Sequence, residues 1–201
     1  MSDDTATPDV DEGCDRDWDR SWDEATRPTL GEPADASYPP AQEAMAQHLV
    51  DIHDHLRGEL TRLGGLVDEV RRGLLSAGGA RAEVHAMSLR QNNWTLGAYC
   101  QSYCGFVNGH HSLEDASVFP HLRQADPSVA PVLDRLQDEH VTIHALLDTV
   151  DTALVALVRE SDEAALDRVE DALDLLADRL LSHLAYEERE LRGPLARHGF
   201  Y

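Results

Sequence analysis

From Ala41 onward, apolar side chains recur every three or four positions, a period that selects helices and excludes alternating strands. The first stretch carries Leu49, Ile52, Leu56, Leu60 and Leu63 on one face and ends in the Ser76, Ala77, Gly78, Gly79 run. A second follows a lead-in over residues 81–93, with Leu96, Tyr99, Tyr103, Phe106 and Leu113 leading to Val118, where Pro120 is expected to stop it. The third opens between Pro127 and Pro131 and runs through Leu133, Leu136, Ile143, Leu147 and Leu154 towards Arg159. Ser161 is the expected N-cap of the fourth, whose stripe is Leu166, Val169, Leu173, Leu176, Leu180, Leu184 and Leu191, with Gly193 and Pro194 ending it. Four long amphipathic helices on short connections predict an all-α, up-down-up-down four-helix bundle over residues 41–201.

Residues 1–40 read differently. They hold twelve of the 38 acidic residues and five of the nine prolines, with scarcely an aliphatic side chain, so they predict a disordered acidic tail. Trp18 and Trp22 form an i, i+4 pair there, read as a chance pair in a solvated segment ahead of a partner-binding motif, and no partner of the tail is identified. The net charge of −21, with 17 basic residues, argues against nucleic-acid and anionic-membrane partners. No uninterrupted run of about 18 apolar residues and no basic-then-apolar leader is present, and the three cysteines are an odd number in a chain that needs no stapling. A cytoplasmic setting is expected.

Eleven histidines make the apolar stripes informative. At helical spacing, His53 falls on the core face of the first helix while His55 turns to solvent. His110 and Glu114 share the core face of the second, His140 that of the third, and His183 with Glu187 that of the fourth. Counted from the helix ends, all four histidines lie roughly 14 to 18 Å from one end of the bundle, so they can meet. One histidine on such a stripe is ordinarily a satisfied core residue. Four imidazoles and two carboxylates in one buried layer are instead costly unless a cation is shared among them, and two similar sets of three ligands suggest two ions. A metal-free bundle is the competing reading. Imidazole with carboxylate and no thiolate suits iron best, with manganese and zinc as alternatives. The Glu-x-x-His pairs of ferritin-like carboxylate sites and the CxxCH of c-type haem are both missing.

The order His, His-x-x-x-Glu, His, His-x-x-x-Glu, with the strings HDHLRGEL, YCGFVNGHHSLEDASVFPHL, LQDEHVTIH and HLAYEERELRGPL, resembles the hemerythrin-like, or HHE cation-binding, domains from about Ala41 to Leu195. The resemblance implies an oxo- or hydroxo-bridged centre of two iron ions, with His53, His110, His140 and His183 as terminal ligands and Glu114 and Glu187 as bridging carboxylates. It further implies that a small oxidant, namely dioxygen, peroxide or nitric oxide, is bound and in one reading turned over, in a role linked to oxidative stress. The alternative is a non-enzymatic oxygen or iron carrier or sensor.

His144 gives the third helix an HxxxH like that of the five-histidine oxygen carriers, and ligation and an orienting hydrogen bond weigh about equally for it. With four histidines, roughly one coordination position per iron stays open, which favours catalysis; a fifth ligand leaves about one in all, which favours reversible binding. Glu188 offers an HxxxxE, although helix geometry prefers Glu187. Arg57 is read as a surface ion pair, Cys100 and Cys104 as core, Tyr99, Tyr103 and Tyr186 as core filling near the layer, and His111 and His121 as exposed.

Overall fold

The computed structural model describes residues 22–31, 36–76 and 82–200, with backbone alone for 74–76 and 82–95. Among them there is no strand. Helix α1 spans Pro40–Ser76, α2 Ala82–Leu113, the short α3 Phe119–Ala125, α4 Ala130–Glu160 and α5 Glu163–His198. The lead-in over 81–93 is therefore helix from Ala82 on. Helix α1 packs against α2 and α5, and α4 against the same two, so the four long helices close a ring.

The expected stripes of α4 and α5 are buried throughout, and on α1 Leu56, Leu60 and Leu63 are buried with Leu49 and Ile52 partly so. Each fully buried leucine contributes about 1.5–3 kcal/mol of transfer free energy, so these stripes dominate the stability of the ring. On α2 the core face is rotated from the expected one. Leu96, Cys100, Tyr103 and Val107 point in, whereas Phe106 and Leu113 are exposed, Phe106 lying edge-on to exposed His55. Phe106 and Leu113 are the bulkiest apolar residues of their turns, yet they sit beside the true stripe, which continues through Val107, His110 and His111 to Glu114.

Three expected boundaries move. Pro120 does not stop the second helix: residues Glu114–Val118 form a π-turn, in which Phe119 N–H reaches Glu114 O, and α3 follows directly. The missing proline donor thus falls where the ladder has already shifted register. Ser161 is not an N-cap; it ends α4 in the left-handed region (φ 51°), and Asp162 caps α5 by accepting from Ala165 N–H at 2.8 Å. Pro194 lies inside α5, which runs on to His198, because Gly193 before it has no Cβ to clash with the proline ring.

Helix α4 is long and apolar enough, by length and composition, to cross a membrane. Its apolar residues Leu133, Leu136, Ile143, Leu147 and Leu154 are instead buried against the other helices, as the core helix of a bundle requires.

Residues 22–31, which composition assigns to the solvated tail, form a strap across α4 and α5. Trp22 is only 8% exposed and joins the main apolar cluster. Tyr186 Oη donates to Pro28 O at 2.8 Å, Leu30 N–H donates to Glu190 at 2.7 Å, and Arg27 reaches Glu139 and Ser182. Trp22 is therefore a core residue and not a solvated one, while Trp18 lies outside the described residues.

Candidate metal centre

Two apolar clusters flank a polar layer. One centres on Leu56, Leu63, Ile143, Leu176 and Leu180; the other, on Phe119, Leu122, Leu133, Leu136 and Leu191. Between them in sequence on α1, α4 and α5 come His53, His140 and the pair His183 with Glu187, while α2 and the π-turn supply His110 and Glu114. All six are buried, as the spacing predicts.

Their polar atoms converge. His53 Nε2 lies 3.1 Å from His110 Nε2 and 3.4 Å from Glu187 Oε2. His110 Nε2 is 3.3 Å from Glu114 Oε1, and His140 Nε2 is 3.6 Å from Glu114 Oε2. Glu187 Oε2 is also 3.7 Å from His183 Nε2. Glu114 thus lies between His110 and His140, and Glu187 between His53 and His183. Sequence order groups Glu114 with His53 and His110, and Glu187 with His140 and His183, whereas the geometry gives each carboxylate a histidine from both halves. The ligand atoms fall into two groups, each within 4.8 Å: His53, His110, Glu114 and Glu187 in one, His111, His140 and His183 in the other.

The back side of this layer is where sequence reasoning missed residues. His53 Nδ1 is 2.9 Å from Glu188, His140 Nδ1 3.0 Å from Asp115, and His183 Nδ1 3.1 Å from Glu139. The carboxylate behind each ring accepts its Nδ1 proton, and His140 and His183 turn an Nε2 with no hydrogen-bond partner to the interior. Glu188 is accordingly a partner behind His53, and Arg57 holds it at 2.8 Å while also pairing with Asp54. Glu139 is gripped by Arg27 at 2.8 and 3.1 Å and by Arg135 at 2.7 Å. Asp115 faces inward next to Glu114 because the wider π-turn separates consecutive residues by a smaller angle than an α-turn does.

Electrostatics follow the burial. Burial pushes His110 down to about 4 and lowers His183 against the pull of Glu139. His53 is raised, because although burial works against its charge, Glu187 and Glu188 outweigh it. Glu114 is raised well above the ordinary carboxylate range, first by burial and then by the facing Glu187; Glu187 is lowered, burial being overcome by His53. Glu139 falls to about 2, since His183, Arg27 and Arg135 overcome the cost of its burial.

Several of these inward atoms have no hydrogen-bond partner: Glu114 Oε2, His140 Nε2, His183 Nε2 and both carboxylate oxygens of Glu187. Each such buried orphan costs about 1–3 kcal/mol, and their convergence is what a cation shared among lone pairs resolves. The donor set is nitrogen and oxygen throughout, with no cysteine in either group.

Of the remaining candidates, His144 is half-buried and belongs to neither group; its Nε2 lies 3.3 Å from His111 Nδ1. His111, expected at the surface, is fully buried, stacked on His140 with ring centroids 3.9 Å apart. The doublet His110–His111 was the available signal, hidden by taking Phe106 as a core marker. His121, also expected to be exposed, is half-buried and lies 3.3 Å from His198 O. Tyr186, Tyr103 and Tyr99 spend their hydroxyls on Pro28 O, Leu56 O and Glu59 and not on the layer. Burial raises the thiols of Cys100 to about 12 and Cys104 to about 11, in keeping with a core role.

The family profile of the hemerythrin HHE cation binding domain matches residues 44–193. Comparison with curated proteins and with solved structures gives no significant match.

Proposed function

The chain belongs to the hemerythrin HHE cation-binding domain family, whose members bind metal cations, typically iron, and on that premise we propose that it holds two iron ions for reaction with a small oxidant. His53, His110, His140 and His183 would hold them as terminal ligands, with Glu114 and Glu187 as the carboxylates shared between them. The observation that carries this reading is the placement of each orphaned carboxylate between one histidine of each half. Helix pairing supports the up-down-up-down order: His53 neighbours Glu187 while Arg71, further along α1, meets Glu170, earlier on α5. Dioxygen, peroxide or nitric oxide is the ligand class, in a cytoplasmic, stress-related role.

When bound, the two irons supply redox-active, Lewis-acidic positions for a small oxygen or nitrogen species. The chain's own part is to prepare them. Glu188, Asp115 and Glu139 hold the Nδ1 protons of His53, His140 and His183, which fixes the tautomer and aims each Nε2 inward. Phe119, stacked 5.6 Å from His140, and Leu56 and Leu136 on either side keep bulk water out. Burial raises Glu114, so holding a cation there would require its carboxyl to give up a proton, and affinity would rise with pH.

A carrier or sensor is the second reading, favoured by the third buried imidazole beside His140 and His183, since every added protein ligand closes a coordination position. Anaerobic purification with metal analysis tests the site: two irons per chain are expected, and a chain that takes up none after iron(II) addition refutes it. Spectra after separate addition of dioxygen, peroxide and nitric oxide then divide the readings. Sustained peroxide consumption marks an enzyme, and a stable, reversible oxygenated spectrum marks a carrier.

A further inference from the structure

We propose that His111 is a protein ligand in its own right, completing a three-imidazole set with His140 and His183, and that His144 stands behind it as a positioning residue. The proposal rests on the reading of the layer as a metal centre and extends it to a residue outside the four-histidine pattern. His111 has no exposed surface, and its Nε2 has no hydrogen-bond partner. A ring nitrogen of His111 shares a group within 4.8 Å with ring nitrogens of His140 and His183, both of which also present orphaned Nε2 atoms. An imidazole buried with one nitrogen unmet costs about 1–3 kcal/mol unless something accepts its lone pair or proton. Two neighbouring rings that present bare nitrogens cannot supply a proton, so the three nitrogens share a requirement for one electrophile.

The other nitrogen of His111 is committed. Its Nδ1 faces His144 Nε2 at 3.3 Å, and a proton held on Nδ1 between them leaves the Nε2 lone pair directed at the group. His111 thereby has the arrangement of His53, His140 and His183, with an imidazole behind it where they have a carboxylate. His144 cannot both hold this position and ligate through the same nitrogen. Rotation of the α2 core face brings His110 and His111 inward together, one to each ligand group.

The test uses the full-length chain loaded anaerobically with iron(II), with metal per chain and chelator-competition affinity as readouts. Wild type is expected to hold two ions, and H111A one, with the second restored by millimolar imidazole; H144A is expected to keep two, the weaker bound about 10- to 100-fold less tightly. An H111A protein that binds two ions at wild-type affinity overturns the proposal, as does an H144A protein that loses one outright. A wild-type chain that binds no iron overturns the metal centre as well. Should H111A fail to fold, cobalt(II)-loaded wild type provides a direct count: five exchangeable, hyperfine-shifted imidazole N–H resonances are expected, all five surviving in H144A. Four in the wild type, or four in H144A, refute ligation by His111.

Discussion

Between Leu56 and Val70 the buried positions of α1 are all aliphatic, and the helices around them answer with leucine, isoleucine and valine. One turn towards Pro40, the same kind of inward position holds His53, in a layer with four further imidazoles and two carboxylates. The first region is complete as built, because each side chain it buries asks only for contact. The second is incomplete, because its orphaned oxygens and nitrogens ask for a charge that the chain does not supply. Stability in the apolar layer should therefore be a property of the chain, and in the polar layer a property of chain plus ion.

The largest expected effect lies in the apolar layer. Leu176→Ala, at a fully buried position, should cost about 2–5 kcal/mol in denaturant unfolding, equally with and without metal, and leave iron stoichiometry unchanged. A cost that disappears on metal loading would join the two regions. Acid comes next. Glu139 is held down to about 2 against an ordinary 4.5 and is only 2% exposed. Its depressed value stabilises the fold above pH 4.5, and that contribution, about 3 kcal/mol, is lost as pH falls through 4.5 towards 2. Stability curves for wild type and Glu139→Gln should therefore converge in this window and separate above it.

Arg27→Ala should cost about 2 kcal/mol by removing two charge-assisted bonds from a carboxylate that retains only Arg135 and His183, and should also weaken metal binding through His183. Chelator competition alongside unfolding checks both. Smallest in stability but decisive for the comparison is Glu114→Met, since burial already penalises that carboxylate. Metal uptake should collapse, while the metal-free protein stays within about 1 kcal/mol of wild type or becomes more stable, because an orphaned carboxylate is replaced by an apolar chain of similar size. A strong loss of metal-free stability would show that the polar layer is self-sufficient.

What the sequence reveals divides along the same line. Stripes on α4 and α5 are legible because leucine and valine at helical spacing mean burial whatever they meet. The six polar ligand candidates are legible because they interrupt those stripes. Phe106 and Leu113 mislead, since large apolar residues beside a true stripe shift its apparent phase and conceal His111. Pro120 and Pro194 mislead because a proline's effect depends on the turn that precedes it, a π-turn in one case and Gly193 in the other. Arg27 and Glu139 are 112 residues apart, and no local pattern announces an arginine in an acidic stretch that seats itself on a carboxylate behind a histidine.

The π-turn at Glu114–Val118 makes the winding of the chain itself a structural requirement. Were these same residues wound as an ordinary α ladder, every side chain beyond them would swing by about 90°, carrying Phe119 and Leu122 away from the interior they now fill. His110 would stay where it is while the floor beneath it turned. How this segment is wound thus carries as much meaning as which residues it holds.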